Sequence, residues 1–395
     1  MNSEAEQSST EPSRSRWVER NQALAAILLA AMSLFSPTPD LRPKPVLPAT
    51  YEMVEPSDPP DLDVTALLKG ATGPKEHKEA GQRAAATKGA AAATAAGALA
   101  ADPHPFRSEE ARTRYLALYD ARAQRWPVPA ETRMVNGAFG QTLVRISGPA
   151  GAPPLVLLHG ISSNSLAWLP NVEALSRHYR VYAVDHIFDF GRSIYTRPLR
   201  DAADHLAWMD GLFDSLGLTR HVHLVGLSYG GWLAARYAQH APSRLAKVVL
   251  LAPVSTVLPL STQWIARAVL CVLPHPWFTR NFLRWLLPDL AAQGTGPGSP
   301  FDDIANEALT AMRAFKSRQL VPANVLSDAE LQALTVPTLF LVSVHEKIYD
   351  PHKAVQRLGN VAPRIRTKLL PGAGHDLSVV QADVLNREIL QFFSK

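Results

Sequence analysis

The chain has 395 residues, room for one large domain or two ordinary ones, and 47% of them are hydrophobic, enough for a substantial core. Its formal charge of +5 is small, and the basic residues are scattered rather than gathered in blocks, so no nucleic-acid surface is expected. The single cysteine, Cys271, excludes an internal disulfide and any cysteine-rich zinc or redox site, and its apolar surroundings suit a buried core thiol.

Residues 1–105 are rich in Pro, Ala, Ser and Thr, with runs such as "SPTPDLRPKPVLPAT" and an alanine tract. Such a segment buries too little apolar surface to offset its ordering entropy, so it reads as a largely disordered extension without catalytic residues. Within it, residues 23–35, "ALAAILLAAMSLF", follow Arg14, Arg16 and Arg20 but are too short to span a bilayer comfortably. Membrane association is expected only through this stretch. The expected compartment is the cytoplasm, with export or anchoring through residues 23–35 as the alternative.

From residue 106 the pattern alternates between strand-like and helix-like segments. A helix is predicted over 107–126, with Ser108 as its N-cap. Two strands, "ETRMVN" and "QTLVRISG", flank a turn at Gly137 and Gly140. Five short apolar runs follow, "PLVLLHG", "RVYAVDH", "HVHLVGLS", "KVVLLAPV" and "PTLFLVS", each suited to a strand buried on both faces. Helical patterns separate them, and a last strand-like run, "RTKLL", precedes a C-terminal helix. This alternation implies an α/β fold with a mostly parallel central sheet and helices on both faces. Residues 257–335 interrupt it with helices broken by Pro and Gly, and an insertion at this edge of a parallel sheet reads as a cap over a pocket. Three segments are therefore expected: the extension 1–105, a domain over 106–395 and the cap 257–335 within it.

Gly226-Leu227-Ser228-Tyr229-Gly230 fits G-x-S-x-G between a strand and a helix, the context that pushes a serine out of a strained turn toward substrate. A serine hydroxyl needs a base, and His375 lies in the glycine-rich loop "LLPGAGHDLS" late in the chain. The acid that orients the imidazole should follow "PTLFLVS". Glu346 stands three residues past Ser343 and is favoured, whereas Asp350 precedes Pro351 and resembles an N-cap, so it stays as the less favoured alternative. The developing oxyanion needs two donors, assigned to the backbone N–H groups of Tyr229 and Ile161. His159 is read as structural. Gly160 is expected in the substrate site, with Ser162, Ser163 and Asn164 as its polar lining unless one of the three caps a helix instead. No metal ligands and no cofactor are expected.

Residues 106–395 resemble the α/β-hydrolase family through "LLHG", "VDHIFDFGRS", "GLSYGG" and "GAGH", in the family's order. The resemblance implies a Ser-His-acid, carboxylesterase-like hydrolase with a helical cap, acting without a cofactor on a small ester or related carbonyl compound. Two departures stand out. Phe188 and Phe190 occupy a loop where members carry Gly or Pro, which makes them candidate aromatics at the pocket mouth. Ser343 replaces the usual Gly, and the acid is Glu rather than Asp. Carbon–carbon bond hydrolysis, acyl transfer and a catalytically silent binding protein are the alternative functions.

Overall fold

The computed structural model describes residues 105–271, 273, 275–316 and 320–394 of the chain. The expectations for residues 1–104, including the apolar stretch 23–35, lie outside these residues. Helix α1 (Glu109–Ala123) begins where the sequence predicts, with Ser108 Oγ accepting from the Ala111 N–H at 3.1 Å. Strands β1 (Ala130–Gly137) and β2 (Gly140–Ser147) form an antiparallel hairpin whose register sets Gly137 opposite Gly140. At φ 133° Gly140 sits in a region closed to other residues, and a side chain there would strike the backbone of the short strand β5 (Ile194–Tyr195), which pairs with β2.

Six strands run parallel: β3 (Pro154–Leu158), β4 (Arg180–Val184), β6 (Val222–Leu227), β7 (Leu245–Leu251), β8 (Thr338–Ser343) and β9 (Arg366–Leu370). Their spatial order is β4-β3-β6-β7-β8-β9, and β2 joins antiparallel beside β4. The apolar runs are buried as expected, with Leu155 to Leu158 and Val248 and Val249 at zero exposure. The chain steps from β3 to β4 on one side and then to β6 on the other. The strand order reverses between β3 and β6, and folds of this kind bind ligands at the carboxyl ends of the strands at such a reversal.

Helices α2 (Leu169–Ser176), α3 (Ala202–Ser215) and α4 (Tyr229–His240) fill the early crossovers, α2 being preceded by a 3₁₀ turn over Ser165–Trp168. Between β7 and β8 come α5 (Thr262–Leu270), α6 (Pro276–Leu286), α7 (Pro288–Ala292), α8 (Pro300–Ala314) and α9 (Asp328–Gln332). The stretch "WFTRNFLRWLLPDLAAQ" has helical periodicity throughout, but the structure breaks it at Leu287 (φ −118°, ψ 58°). Pro288 has no N–H for the ladder, and its ring pushes the preceding residue out of the helical region. The pattern "DDIANEALTAMRAFKSRQL" likewise stops at Ala314, because Phe315 leaves the helix to form a β-bridge with Phe106. Helices α10 (Pro351–Val361), α11 (Leu377–Val380) and α12 (Ala382–Ser394) complete the described chain. Among the described residues no helix is long and apolar enough to cross a membrane.

Candidate active site

Ser228 sits between β6 and α4 with φ 53° and ψ −112°. A non-glycine residue there costs on the order of 1–3 kcal/mol, so the surroundings must impose it. They do so through hydrogen bonds: Ser228 N–H donates to the Leu251 carbonyl at 2.8 Å, and its own carbonyl accepts from Val254 at 3.0 Å and Trp232 at 3.1 Å. The flanking glycines answer to space. A side chain on Gly226 would strike the backbone of Gly230, and one on Gly230 would strike the backbone of Leu158 and His159.

The loops after β8 and β9 bring Glu346 and His375 together. His375 Nδ1 lies 2.9 Å from Glu346 Oε2, and the glutamate side chain is fully buried. Its other oxygen, Oε1, accepts from the N–H groups of Lys347 at 2.8 Å and Ile348 at 3.0 Å. The carboxylate is therefore fixed by its own loop while one oxygen faces the imidazole. Burial pulls the His375 pKa down, but the charge and hydrogen bond of Glu346, with the charge of Asp376, outweigh it and leave the pKa above its ordinary 6.5. Asp350 does what its position before Pro351 predicts: it caps α10, Oδ1 accepting from His352 at 3.0 Å and Lys353 at 3.1 Å.

The loop after β3 runs beside the serine. A methyl on Gly160 would lie 3.3 Å from Ser228 Cβ and 3.9 Å from Oγ, so this glycine faces Ser228. The His186 N–H donates to His159 Nε2 at 3.0 Å. The His159 proton is therefore on Nδ1, which donates to the Gly160 carbonyl at 2.7 Å. His159 thus braces the loop. Ile161 is half-buried against the core, and the exposed Ser162 is held at φ 59° by Asp189, whose carboxylate accepts its N–H at 2.9 Å. Asn164 takes the capping role, accepting from Leu166 at 3.0 Å.

Phe188 and Phe190 are both buried. Phe188 packs edge-on to the rings of His205 and Tyr229, next to the elbow, whereas Phe190 packs against Phe315 in a separate cluster under α1 and α8. The Tyr229 hydroxyl reaches away from the elbow to the Val321 carbonyl at 2.7 Å.

The sequence reading gave no role to three carboxylates that hold the site. Fully buried Asp185 accepts from Ser165 N–H at 2.8 Å, Arg192 N–H at 2.9 Å and the Tyr119 hydroxyl at 3.0 Å, tying α1 to the loop after β3. Asp189 orders Ser162. Asp376, beside His375, is only 2% exposed. Six of their seven partners are backbone N–H groups, three of them from segments 20 or more positions away, and these leave no sequence signal. Among the described residues one group, His159, His186 and Asp189, brings possible metal-ligand atoms within 4.8 Å of one another. It has no lone pair to offer at His159, since both nitrogens are in hydrogen bonds, and Asp189 already accepts from Ser162 and Phe190.

A strained serine at a strand–helix elbow, a buried acid–histidine pair on later loops and a braced loop facing the serine are the arrangement of one large family. A family model described as the alpha/beta hydrolase fold matches residues 153–296, and the chain belongs to the α/β-hydrolase family. It is similar to nap of Bacillus subtilis (strain 168), described as an uncharacterized carboxylesterase, with 32% identity over 71% of this chain and 92% of that protein. Carboxylesterase YbfK of the same organism is 31% identical over 74% of this chain and 97% of its own length. The crystal structure of naproxen esterase (carboxylesterase NP) from Bacillus subtilis superimposes with a TM-score of 0.66, covering 73% of this chain and 99% of that one at 32% identity. The chain is a hydrolase of this fold.

Proposed function

We propose that the protein hydrolyses a small carboxylic ester through an acyl-enzyme on Ser228. The observation that carries this reading is the 2.9 Å hydrogen bond between His375 Nδ1 and buried Glu346, on the loops after β9 and β8. With Nδ1–H donating to the carboxylate, neutral His375 keeps a lone pair on Nε2 for the serine proton. Ser228 Oγ attacks the ester carbonyl carbon as that proton moves to Nε2, and Glu346 stabilises the imidazolium. The carbonyl π electrons become an oxyanion, for which the N–H groups of Tyr229 and Ile161 are the donors. Collapse expels the alcohol, protonated by His375. Water then repeats the sequence on the acyl-serine and releases the acid.

In this reading residues 257–335 form the cap and select the substrate. Trp264, Leu260 and Leu286 are half-buried against the core, and Trp264 meets Phe282 edge-on with ring centres 5.9 Å apart. Side chains of this kind suit an apolar acyl or aryl group. The carboxylesterase names of the relatives support the same substrate class. The test compares wild type with Ser228→Ala on a panel of p-nitrophenyl esters and by fluorophosphonate labelling. Wild type should turn over and label while the variant does neither. Unchanged turnover in Ser228→Ala would defeat the proposal, and folded wild type that does not label would favour a silent binding protein.

A further inference from the structure

Asp376 directly follows the base and uses both carboxylate oxygens within the structure. Oδ1 accepts from the Gly374 N–H at 3.0 Å, so the carboxylate reaches back across His375. Oδ2 accepts from the N–H of Leu290 at 2.8 Å, in helix α7 of the insertion and 86 positions earlier in the chain. A second contact joins the same two segments: a methyl on Gly374 would lie 3.0 Å from Cδ and 3.2 Å from Cγ of Pro288, the first residue of α7. Val379 and Val380 of α11 extend the contact by packing on the cluster of Leu290, Phe301 and Ala305.

The acid loop has a matching tie. Ser261, the N-cap of α5, donates Oγ–H to the Lys347 carbonyl at 2.8 Å and its N–H to the Ile348 carbonyl at 2.7 Å. Lys347 and Ile348 are the residues whose N–H groups fix Glu346. The insertion thus grips the acid loop at its start and the base loop at α7.

We infer that Asp376 is a positioning residue whose carboxylate latches helix α7 to His375, so that the seating of the insertion sets the orientation of the imidazole. The inference rests on the serine-hydrolase reading above. An insertion pushed outward at α7 by an ill-fitting acyl group would draw the base loop with it, so selection by the cap would register in kcat and not only in KM. The other ionisable groups facing the pair are Glu346, from the loop after β8, and Asp289, from α7 itself.

Asp376→Asn tests the latch in the full chain. An amide has one acceptor and turns its NH₂ toward the other backbone N–H, so one of the two bonds is lost. For p-nitrophenyl esters kcat should fall about 10- to 100-fold with KM changed less than about threefold. The acid limb of the kcat/KM profile should also move to lower pH, because a negative charge that supports the imidazolium has gone. Loss of activity with an unmoved limb marks a merely structural role and overturns the inference, as does kcat within about twofold of wild type. A second pair covers the chance that Asp376→Asn fails to fold. Gly374→Ala presses a methyl on the Pro288 ring and should lower kcat, and Pro288→Ala added to it should restore most of the loss. Absence of that rescue overturns the latch. Fluorophosphonate labelling of wild type separates the two readings: an unlabelled wild type sinks the serine-hydrolase proposal, whereas a labelled wild type matched by Asp376→Asn in every readout sinks the latch alone.

Discussion

Replacing Glu346 by glutamine should abolish turnover while leaving the fold intact, because the surroundings dictate which way the amide points. The Oε1 position receives two backbone N–H groups, from Lys347 at 2.8 Å and Ile348 at 3.0 Å, so only an oxygen is tolerated there. The amide NH₂ must then occupy the Oε2 position, 2.9 Å from His375 Nδ1. An NH₂ group donates, so Nδ1 has to accept and the imidazole proton moves to Nε2, where it blocks uptake of the serine proton. Trapping the wrong tautomer costs about 10³- to 10⁴-fold in kcat, or roughly 4–5.5 kcal/mol of barrier. Asp350→Asn is the control. Asparagine caps a helix as well as aspartate does, so kcat should stay within about twofold. Both are measured by steady-state hydrolysis of a p-nitrophenyl ester at mildly alkaline pH, with thermal melts to show that each protein is folded. Glu346→Gln retaining activity within about tenfold, or Asp350→Asn losing more than about a hundredfold, refutes the assignment of the acid.

Asp185→Ala strands the Ser165 and Arg192 N–H groups, while the Tyr119 hydroxyl keeps Ser165 Oγ at 3.5 Å and Arg145 at 3.4 Å; at about 1–3 kcal/mol per orphan the loss is roughly 2–6 kcal/mol. That is a large part of the roughly 5–15 kcal/mol typical of a domain, and urea unfolding of a variant within about 1 kcal/mol of wild type would contradict it. A base works only when neutral, so kcat/KM should rise with pH through a His375 pKa above 6.5, and a profile flat from there down to about pH 5 contradicts the role. Buried His205 is shifted the other way, burial pulling its pKa down to about 4 against the raising effects of the Asp201 carbonyl and nearby Asp204. Its stabilisation is complete above the unfolded value near 6.5 and is lost as pH falls toward 4, by about 3 kcal/mol. His375, with a raised pKa, contributes in the opposite sense, its stabilisation present below 6.5 and lost as pH rises through the folded value. Urea melts at neutral pH and near pH 4.5 should therefore differ less in His205→Phe than in wild type, and an unchanged difference refutes the account. Burial pushes the Cys271 thiol up to about 11 despite a hydrogen bond with Thr279, so iodoacetamide at neutral pH should label it only after unfolding.

What could be read from the sequence was what lies close together along the chain. The elbow is one pentapeptide with a strand before it and a helix after it, and the strands are short apolar runs whose burial needs no knowledge of their neighbours. Pro351 marks a helix start and makes the preceding Asp350 a cap, as the structure has it, and Glu346 is the proposed acid. What could not be read depends on partners far off in the chain. Phe106 draws Phe315 out of a helix 209 positions away, and neither segment carries a strand pattern of its own. Asp185, Asp189 and Asp376 look like ordinary loop carboxylates until the fold brings backbone N–H groups to them. A backbone donor is the same whatever residue bears it, so no residue type announces the pairing.

The same distinction accounts for a glutamate rather than an aspartate as the proposed acid. Its carboxylate must satisfy two demands, the N–H groups of the next two residues and an imidazole from another loop. Aspartate is shorter by one carbon–carbon bond, about 1.5 Å, and an oxygen that far back loses either the imidazole or the loop. A loop free to move could follow it inward. This one is not free, since the carbonyls of Lys347 and Ile348 are held by Ser261 at the start of the insertion. The extra methylene of Glu346 is thus matched to a loop whose position is set by the insertion, and the residue type follows from a contact 85 positions away, between Ser261 and Glu346's own loop.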